Sequence, residues 1–189
     1  MNEELITDVR IIKTKRSIHN ALKRLLKEKK FDEISVKDIC KEGDLSRGTF
    51  YLHYKDKYDL AYKYQIEIMK KVQTIIEKVN TLKMDDFFYK VIQFWNIEAE
   101  LLMLLISDNG SSEIQSQVKR LIQYNAKRNV LPVIKTNYLT ENEQHYLTVF
   151  LSNVIFGIIQ EWVNNGQKES PEELSRILSK IVPKSLFID

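Results

Sequence analysis

Residues 35–57 read SVKDICKEGDLSRGTFYLHYKDK, and this stretch decides the fold. Ser35, with Asp38 three residues on, is a capping-box start for a short helix. Val36 and Ile39 form its inward side, with Cys40 packed nearby. Gly43 and Asp44 accept the left-handed backbone at which a helix stops. Ser46 caps a second helix running to about Tyr54, with Leu45 and Phe50 as inward anchors. Asp56 caps a further helix at once, with Asp59 in its first turn. Two short helices joined by a tight turn fit a helix-turn-helix unit.

In such a unit the second helix enters the major groove, where base edges distinguish all four base pairs. Its polar side must then carry donors. Arg47 suits a two-point contact with guanine, a pairing that discriminates by roughly 1–3 kcal/mol. Thr49 suits a phosphate or a thymine methyl. Gly48 leaves room for close approach of the backbone, and Tyr51 and His53 suit phosphates. Lys55 and Lys57 stand at the entry to the next helix, whose free N–H groups also favour an anion. Lys37 reaches out from the first helix of the pair. Ser46 and Tyr54, at the two ends of the reading helix, complete the expected DNA-facing set.

Working outward, residues 8–30 are expected to form the first helix, with Ile18, Leu22, Leu25 and Leu26 at helical spacing. Phe31, Ile34 and Val36 pin the connection that follows. The helix after Asp56 is expected to reach about Val79 and to leave the small module for a larger one. Helical stretches follow at 84–98 and 98–107, and DNGSS at 108–112 breaks them. Another runs from about 113 to Pro132. Thr140 and Glu143 open a long helix to about Asn165, and Ser170-Pro171-Glu172-Glu173 opens the last, which Pro183 stops.

The totals agree with an all-α chain. Of 189 residues, 43% are hydrophobic and 29% charged, with only five Gly and three Pro, too few for a protein of strands and tight turns. Residues 1–60 hold 14 Lys/Arg against 11 Asp/Glu, and the remainder holds 15 of each. The basic excess therefore sits entirely on the N-terminal module. One cysteine excludes an intrachain disulfide. The acidic MNEELITD start lacks a secretory pattern, and the longest apolar run, Leu101–Ile106, is too short to span a bilayer. A soluble cytoplasmic protein with no membrane association is expected.

S-R-G-T-F-Y-L-H-Y-K-D-K-Y-D-L, preceded by V-K-D-I-C-K-E, closely resembles the DNA-binding domain of TetR/AcrR-family transcriptional regulators. The likeness covers about residues 8–64. One departure is Gly43-Asp44, where the family commonly has Ala-Gly. The resemblance implies an N-terminal helix-turn-helix domain (1–64) joined by a long helix to a helical ligand-binding and dimerisation domain (65–189). It implies a homodimer on a near-palindromic double-stranded operator, and a repressor released by a small-molecule effector. The alternative is a DNA-binding protein of the same fold whose C-terminal domain engages a protein partner.

The dimer surface is expected on the last two long helices: Leu147, Phe150, Leu151, Val154, Ile158 and Trp162 on one, Leu174, Ile177, Leu178 and Ile181 on the other. Ile155 belongs to the same apolar face. The aromatic-rich middle helices are the expected ligand site, with Phe88, Phe94, Trp95, Met103 and Tyr124 as its lining and Phe87 and Tyr89 nearby. Other patterns read as ordinary structure. His53 lacks a second His or Cys for a metal, and Cys40 reads as a small buried hydrophobe. Glu141 and His145 read as a surface pair, and Asp85-Asp86 as acids at a helix start. No phosphate-binding glycine loop, Ser/His/Asp arrangement or paired-cysteine site is present, so neither enzymatic activity, cofactor nor metal is expected.

Overall fold

A computed structural model describes residues 3–77, 84–133 and 136–182, without the side chains of 3–8, 84, 85, 87 and 133. The stop at Pro183, the helix end at Val79, and the side chains of Asp85 and Phe87 lie outside the described residues. Those residues form nine α-helices and no strand, as the composition implied.

Four helices make the head: α1 (Glu3–Leu26), α2 (Val36–Glu42), α3 (Arg47–Tyr51) and α4 (Lys57–Ile76). Its core is one apolar residue set drawn from every element. Ile18, Leu22 and Leu26 of α1, Phe31 and Ile34 of the connection, Ile39 of α2, Phe50 of α3 and Leu60 of α4 are all buried. Each start is capped as its sequence dictates. Ser35 accepts from Asp38 N, Ser46 from Thr49 N and Asp56 from Asp59 N, satisfying N–H groups that have no partner inside the helix. Three boundaries differ from the expectation, the first being the start of α1 at Glu3 and not at residue 8. α1 ends at Leu26, and Phe31 opens a 3-10 turn, Phe31–Glu33. α3 ends at Tyr51 and not near Tyr54.

The α2–α3 turn divides its two demands between neighbouring residues. Asp44 takes the left-handed conformation (φ 50°), and Gly43 has ordinary φ (−88°). Gly43 is needed for space. A Cβ there would lie 2.8 Å from Leu45 Cδ2 and 3.3 Å from Ala21 Cβ on α1. Ser17 of α1 donates to Gly43 O at 2.8 Å, so the close approach fixes α1 against the turn.

α4 runs unbroken out of the head. Its first turns bury Leu60 and Ala61, and its later turns bury Tyr64, Gln65, Ile68, Met69 and Val72. There it meets α5 (Met84–Glu98), α6 (Glu100–Ile106) and α7 (Ser112–Asn125). α7 continues into a π-helical turn, Ala126–Val130. α8 (Glu141–Asn164) and α9 (Pro171–Ile181) close the bundle, α9 against α5 and α8 against α6 and α7. Both begin with the expected capping boxes, at Thr140/Glu143 and Ser170/Glu173. By length and composition α8 could cross a bilayer. Here it buries Thr148, Ser152, Phe156, Ile159 and Trp162, and Gln160 donates to Ile106 O at 2.7 Å, as befits a bundle helix.

Three sets of contacts hold head to bundle. Glu100 pairs with Lys23 (2.8 Å) and Lys27 (3.0 Å) of α1. Asn109 Nδ2 donates to Leu26 O (3.0 Å), and Phe31 N donates to Asn109 O (2.7 Å). Tyr64 OH donates to Glu98 O (3.3 Å).

His19 of α1 faces Tyr54, just after α3, and Tyr64 of α4. Its Nε2 is 3.0 Å from Tyr54 OH, and its ring meets Tyr64 edge-on at 4.8 Å. Burial, aided by the Lys15 and Lys71 charges and opposed by Glu67, lowers its pKa to about 4. The unfolded chain takes up a proton near pH 6.5 and the folded one only near 4, so stability falls as pH drops through that window. The full loss is about 3 kcal/mol. Urea unfolding of the wild type should show this decline between pH 7 and 4.5. His19→Gln should remove most of the slope, and an unchanged slope would exclude His19 as its source.

Candidate nucleic-acid interface

α3 presents its first turn to solvent because its apolar residues point the other way. Phe50 is fully buried, whereas Arg47 and Gly48 are exposed and Thr49 is half-buried. Arg47 has no ion-pair partner among the described residues, so its guanidinium is available. Ser46 is committed to capping: its Oγ accepts from Thr49 N (3.0 Å) and lies 2.8 Å from Thr49 Oγ1. Gly48 would admit a Cβ, since only Ser46 Oγ lies within 4 Å, at 3.6 Å. Nothing within the fold requires a glycine there. Tyr51 is 55% exposed and stands edge-on to Phe50. Lys37 and Lys55 are exposed on either side. Lys55 N donates to Asp59 Oδ2, which fixes the backbone while the side chain projects outward.

His53 is half-buried. Burial lowers its pKa, and the Lys15 and Lys63 charges add to that, so it is neutral at pH 7 and meets any partner as an uncharged donor or acceptor.

Two members of the expected DNA-facing set are corrected. Tyr54 is 3% exposed. Its hydroxyl is taken by His19, and burial pushes its pKa up to about 12; it joins three helices and cannot reach DNA. Lys57 is turned inward as well. Its Nζ donates to Phe31 O (2.8 Å), Asp32 O (2.9 Å) and Ile34 O (2.9 Å) and lies 4.9 Å from the Phe31 ring centre. It satisfies the carbonyls of the 3-10 turn and does not clamp phosphate. Sequence reasoning also passed over Leu52, which is 82% exposed beside Tyr51. Its signal is an apolar residue out of step with Leu45 and Phe50.

The second expected site is only partly assembled. A cavity of about 140 Å³ lies between α4, α5, α7, α8 and α9. Phe88 and Trp95 line it, with Met69, Ile155 and Trp162. Phe94 and Met103 are buried outside its lining. Tyr124 is 60% exposed and contacts Arg128. These three are corrected, because an apolar or aromatic residue on a middle helix can face the core, the cavity or water. Asn125 is the polar residue of the lining, and its Nδ2 donates to Leu121 O.

The expected dimer face divides similarly. Phe150 (61%), Ile177 (44%) and Ile181 (60%) are exposed, and Leu147, Leu151, Val154 and Ile158 are half-buried. Trp162, Leu174 and Leu178 are buried within the protomer; Trp162 Nε1 donates to Glu169 O. These three are therefore core residues and not contact surface. Leu151, Val154 and Ile158 serve the cavity wall as well.

An exposed, capped reading helix carrying an unpaired Arg47, set on a three-helix core, defines a helix-turn-helix DNA-binding regulator. Comparison with known proteins supplies the family. Residues 18–62 match the model of bacterial regulatory proteins of the tetR family, and residues 83–184 match that of a transcriptional regulator C-terminal region. The chain belongs to the TetR family of transcriptional regulators.

A Bacillus subtilis protein, the uncharacterized HTH-type transcriptional regulator YxbF, is 23% identical over 90% of this chain. The chain spans 45% of the length of that relative. A TetR regulator from Streptococcus agalactiae aligns over 96% of this chain and 99% of its own, with TM-score 0.64 and 21% identity. NalD of Pseudomonas aeruginosa, described as the secondary repressor of the MexAB-OprM multidrug efflux pump, aligns over 94% of this chain and 98% of its own, with TM-score 0.69 and 15% identity. At these identities the two structures show a shared fold.

Gly48 and Arg47 can be separated from folding. Gly48→Ala should leave the melting temperature unchanged or raised, because alanine is favoured over glycine in a helix by up to about 1 kcal/mol. Its affinity for DNA should nevertheless fall. Arg47→Ala should cost about 1–3 kcal/mol of discrimination at one base position. Calorimetry and a binding titration on single-base operator variants read both effects. A Gly48→Ala protein with full affinity would overturn the close-approach reading.

Proposed function

We propose that this chain is a homodimeric repressor that binds a near-palindromic operator and is released by a small effector held in the bundle cavity. The carrying observation is the exposed α3 surface of Arg47, Gly48 and Tyr51, with Lys37 and Lys55 beside it. Its DNA-contacting set is Lys37, Arg47, Gly48, Thr49, Tyr51, His53 and Lys55, and its site of action is the cytoplasm. One head of this size contacts a single half-site, so pairing through α8 and α9 supplies the second. Phe150, Ile177 and Ile181 are large apolar side chains left in water by the protomer, which supports a covered interface.

The cavity supports a small effector over a protein partner at that position. Its lining is apolar apart from Asn125, and its volume approaches the roughly 150 Å³ of an engineered cavity that binds benzene. An uncharged effector of about one ring fits it. Binding would bias the spacing of the two heads only by its differential affinity for the two spacings.

Selection of bound sites from a random duplex pool tests the reading. A palindrome with half-sites about one helical turn apart, or a multiple of that, is expected. Phe150→Glu should convert the dimer to monomer in analytical ultracentrifugation and weaken binding to the selected site by at least roughly tenfold. Asymmetric single half-sites, or a Phe150→Glu dimer of full affinity, would overturn the dimeric reading.

A further inference from the structure

α1 is longer than the head needs. From Val9 onward, where its side chains are described, its first buried residue is Ile18, and the tetR-family match also begins at residue 18. Residues 9–13 are exposed at every position, including Val9 (49%) and Ile12 (64%). Within Arg10–Arg16 lie four cations, Arg10, Lys13, Lys15 and Arg16, all exposed. None has an ion-pair partner among the described residues. The helix holds together without them: Thr14 Oγ1 donates back to Arg10 O, and the core begins a turn later.

The direction of this overhang is fixed by the rest of α1. The C-terminal end is tied to the bundle through Lys23, Leu26 and Lys27. The N-terminal turns therefore project from the opposite side of the head. They pass close to both ends of the reading helix. At their base Ser17 bonds to Gly43 O before α3, and His19 Nε2 lies 3.0 Å from Tyr54 OH after it. At 1.5 Å per residue, Arg10 stands about 12 Å beyond Ile18 along the axis. A major groove is about 12 Å wide, so that reach is sufficient to meet the phosphates along its edge.

We propose that the Arg10–Arg16 segment of α1 is a second DNA-contacting element, which grips the phosphate backbone flanking the half-site that α3 reads. The inference rests on the reading of α3 as the DNA-binding helix. Charge complementarity selects the occupant: four cations without an ion-pair partner among the described residues, on an element flanking α3, meet a polyanion that α3 brings to that side. The grip is confined to this segment, because Glu3, Glu4 and Asp8 further out carry the opposite sign. Phosphate contacts carry no sequence information, so the element contributes affinity and salt dependence, and Arg47 keeps the discrimination.

The test uses the full chain and a fluorescein-labelled duplex recovered with the wild type from a random pool. Fluorescence anisotropy is measured from about 50 to 300 mM KCl, a range over which phosphate-driven binding weakens steeply. Each phosphate that is no longer neutralised should make the slope of log Kobs against log[KCl] shallower by about 0.9. Arg10→Gln/Lys13→Gln/Arg16→Gln should therefore bind at least roughly tenfold more weakly at the lowest salt, with a slope shallower by about 2–3 for each bound protomer. Its base preferences should stay unchanged. Lys90→Gln/Lys127→Gln/Arg128→Gln removes the same charge from the bundle and should leave the slope nearly unaltered.

Lys13→Glu alone, with circular dichroism and melting temperature as the check on folding, supplies a milder variant expected to reduce the slope in the same direction. Wild-type slopes in both Lys13→Glu and the triple α1 variant would overturn the proposal, as would equal reductions in the α1 and bundle variants. A wild type that binds no duplex, or an Arg47→Ala protein with unchanged preferences, would instead fail the underlying reading of α3. Its failure is thus distinct from failure of the α1 grip.

Discussion

Asn109 ties the reading head to the bundle with two hydrogen bonds. Its carbonyl accepts from Phe31 N, and its side-chain amide donates to Leu26 O. One loop residue thereby satisfies the backbone at the end of α1 and at the start of the 3-10 turn. Phe31, whose ring lies in the head core, is held from the other side by Lys57 of α4 through its carbonyl. The same loop is tied to α8, since Asp108 and Asn164 exchange two 3.0 Å hydrogen bonds. Gln160, one turn earlier on α8, holds Ile106 O. An unbroken set of backbone-directed bonds thus runs from a cavity-lining helix to the core of the reading head. Gly110 allows the loop its tight course, for a Cβ there would overlap Leu105 O at 1.8 Å.

These bonds give direction to a junction whose apolar core is continuous from head to bundle. Hydrophobic burial is non-directional, whereas the Asn109, Asn164 and Glu100 contacts each constrain geometry. α4 adds the remaining constraint, since one continuous helix contributes Leu60 to the head core and Met69 and Val72 to the bundle.

Helix starts in head and bundle alike were legible in the sequence to the level of individual caps, because those signals are local. Ser35, Ser46, Asp56, Thr140 and Ser170 each bond a residue three positions on, so spacing alone reveals them. Lys57 and Tyr54 were misread because their partners are remote. Three carbonyls from 23 to 26 residues earlier converge on Lys57, and His19, 35 residues away, takes the Tyr54 hydroxyl. The bundle was legible as helices but not as faces. Trp162, Leu174 and Leu178 share the spacing of the outward residues, and only the crossing of α5, α8 and α9 decides which side is inside. The sequence placed a helix from residue 8, but only the structure shows that residues 9–13 stand outside the core.

α8 is one helix thick between the cavity and the outside, and a helix with its side chains measures about 10–12 Å across. Leu151, Val154 and Ile158 belong to both sides of that wall. Among the described residues no second layer of side chains stands between to absorb a change in shape. The volume of the cavity and the contour of the outer surface are therefore a single mechanical variable. A substitution introduced to widen one will redraw the other.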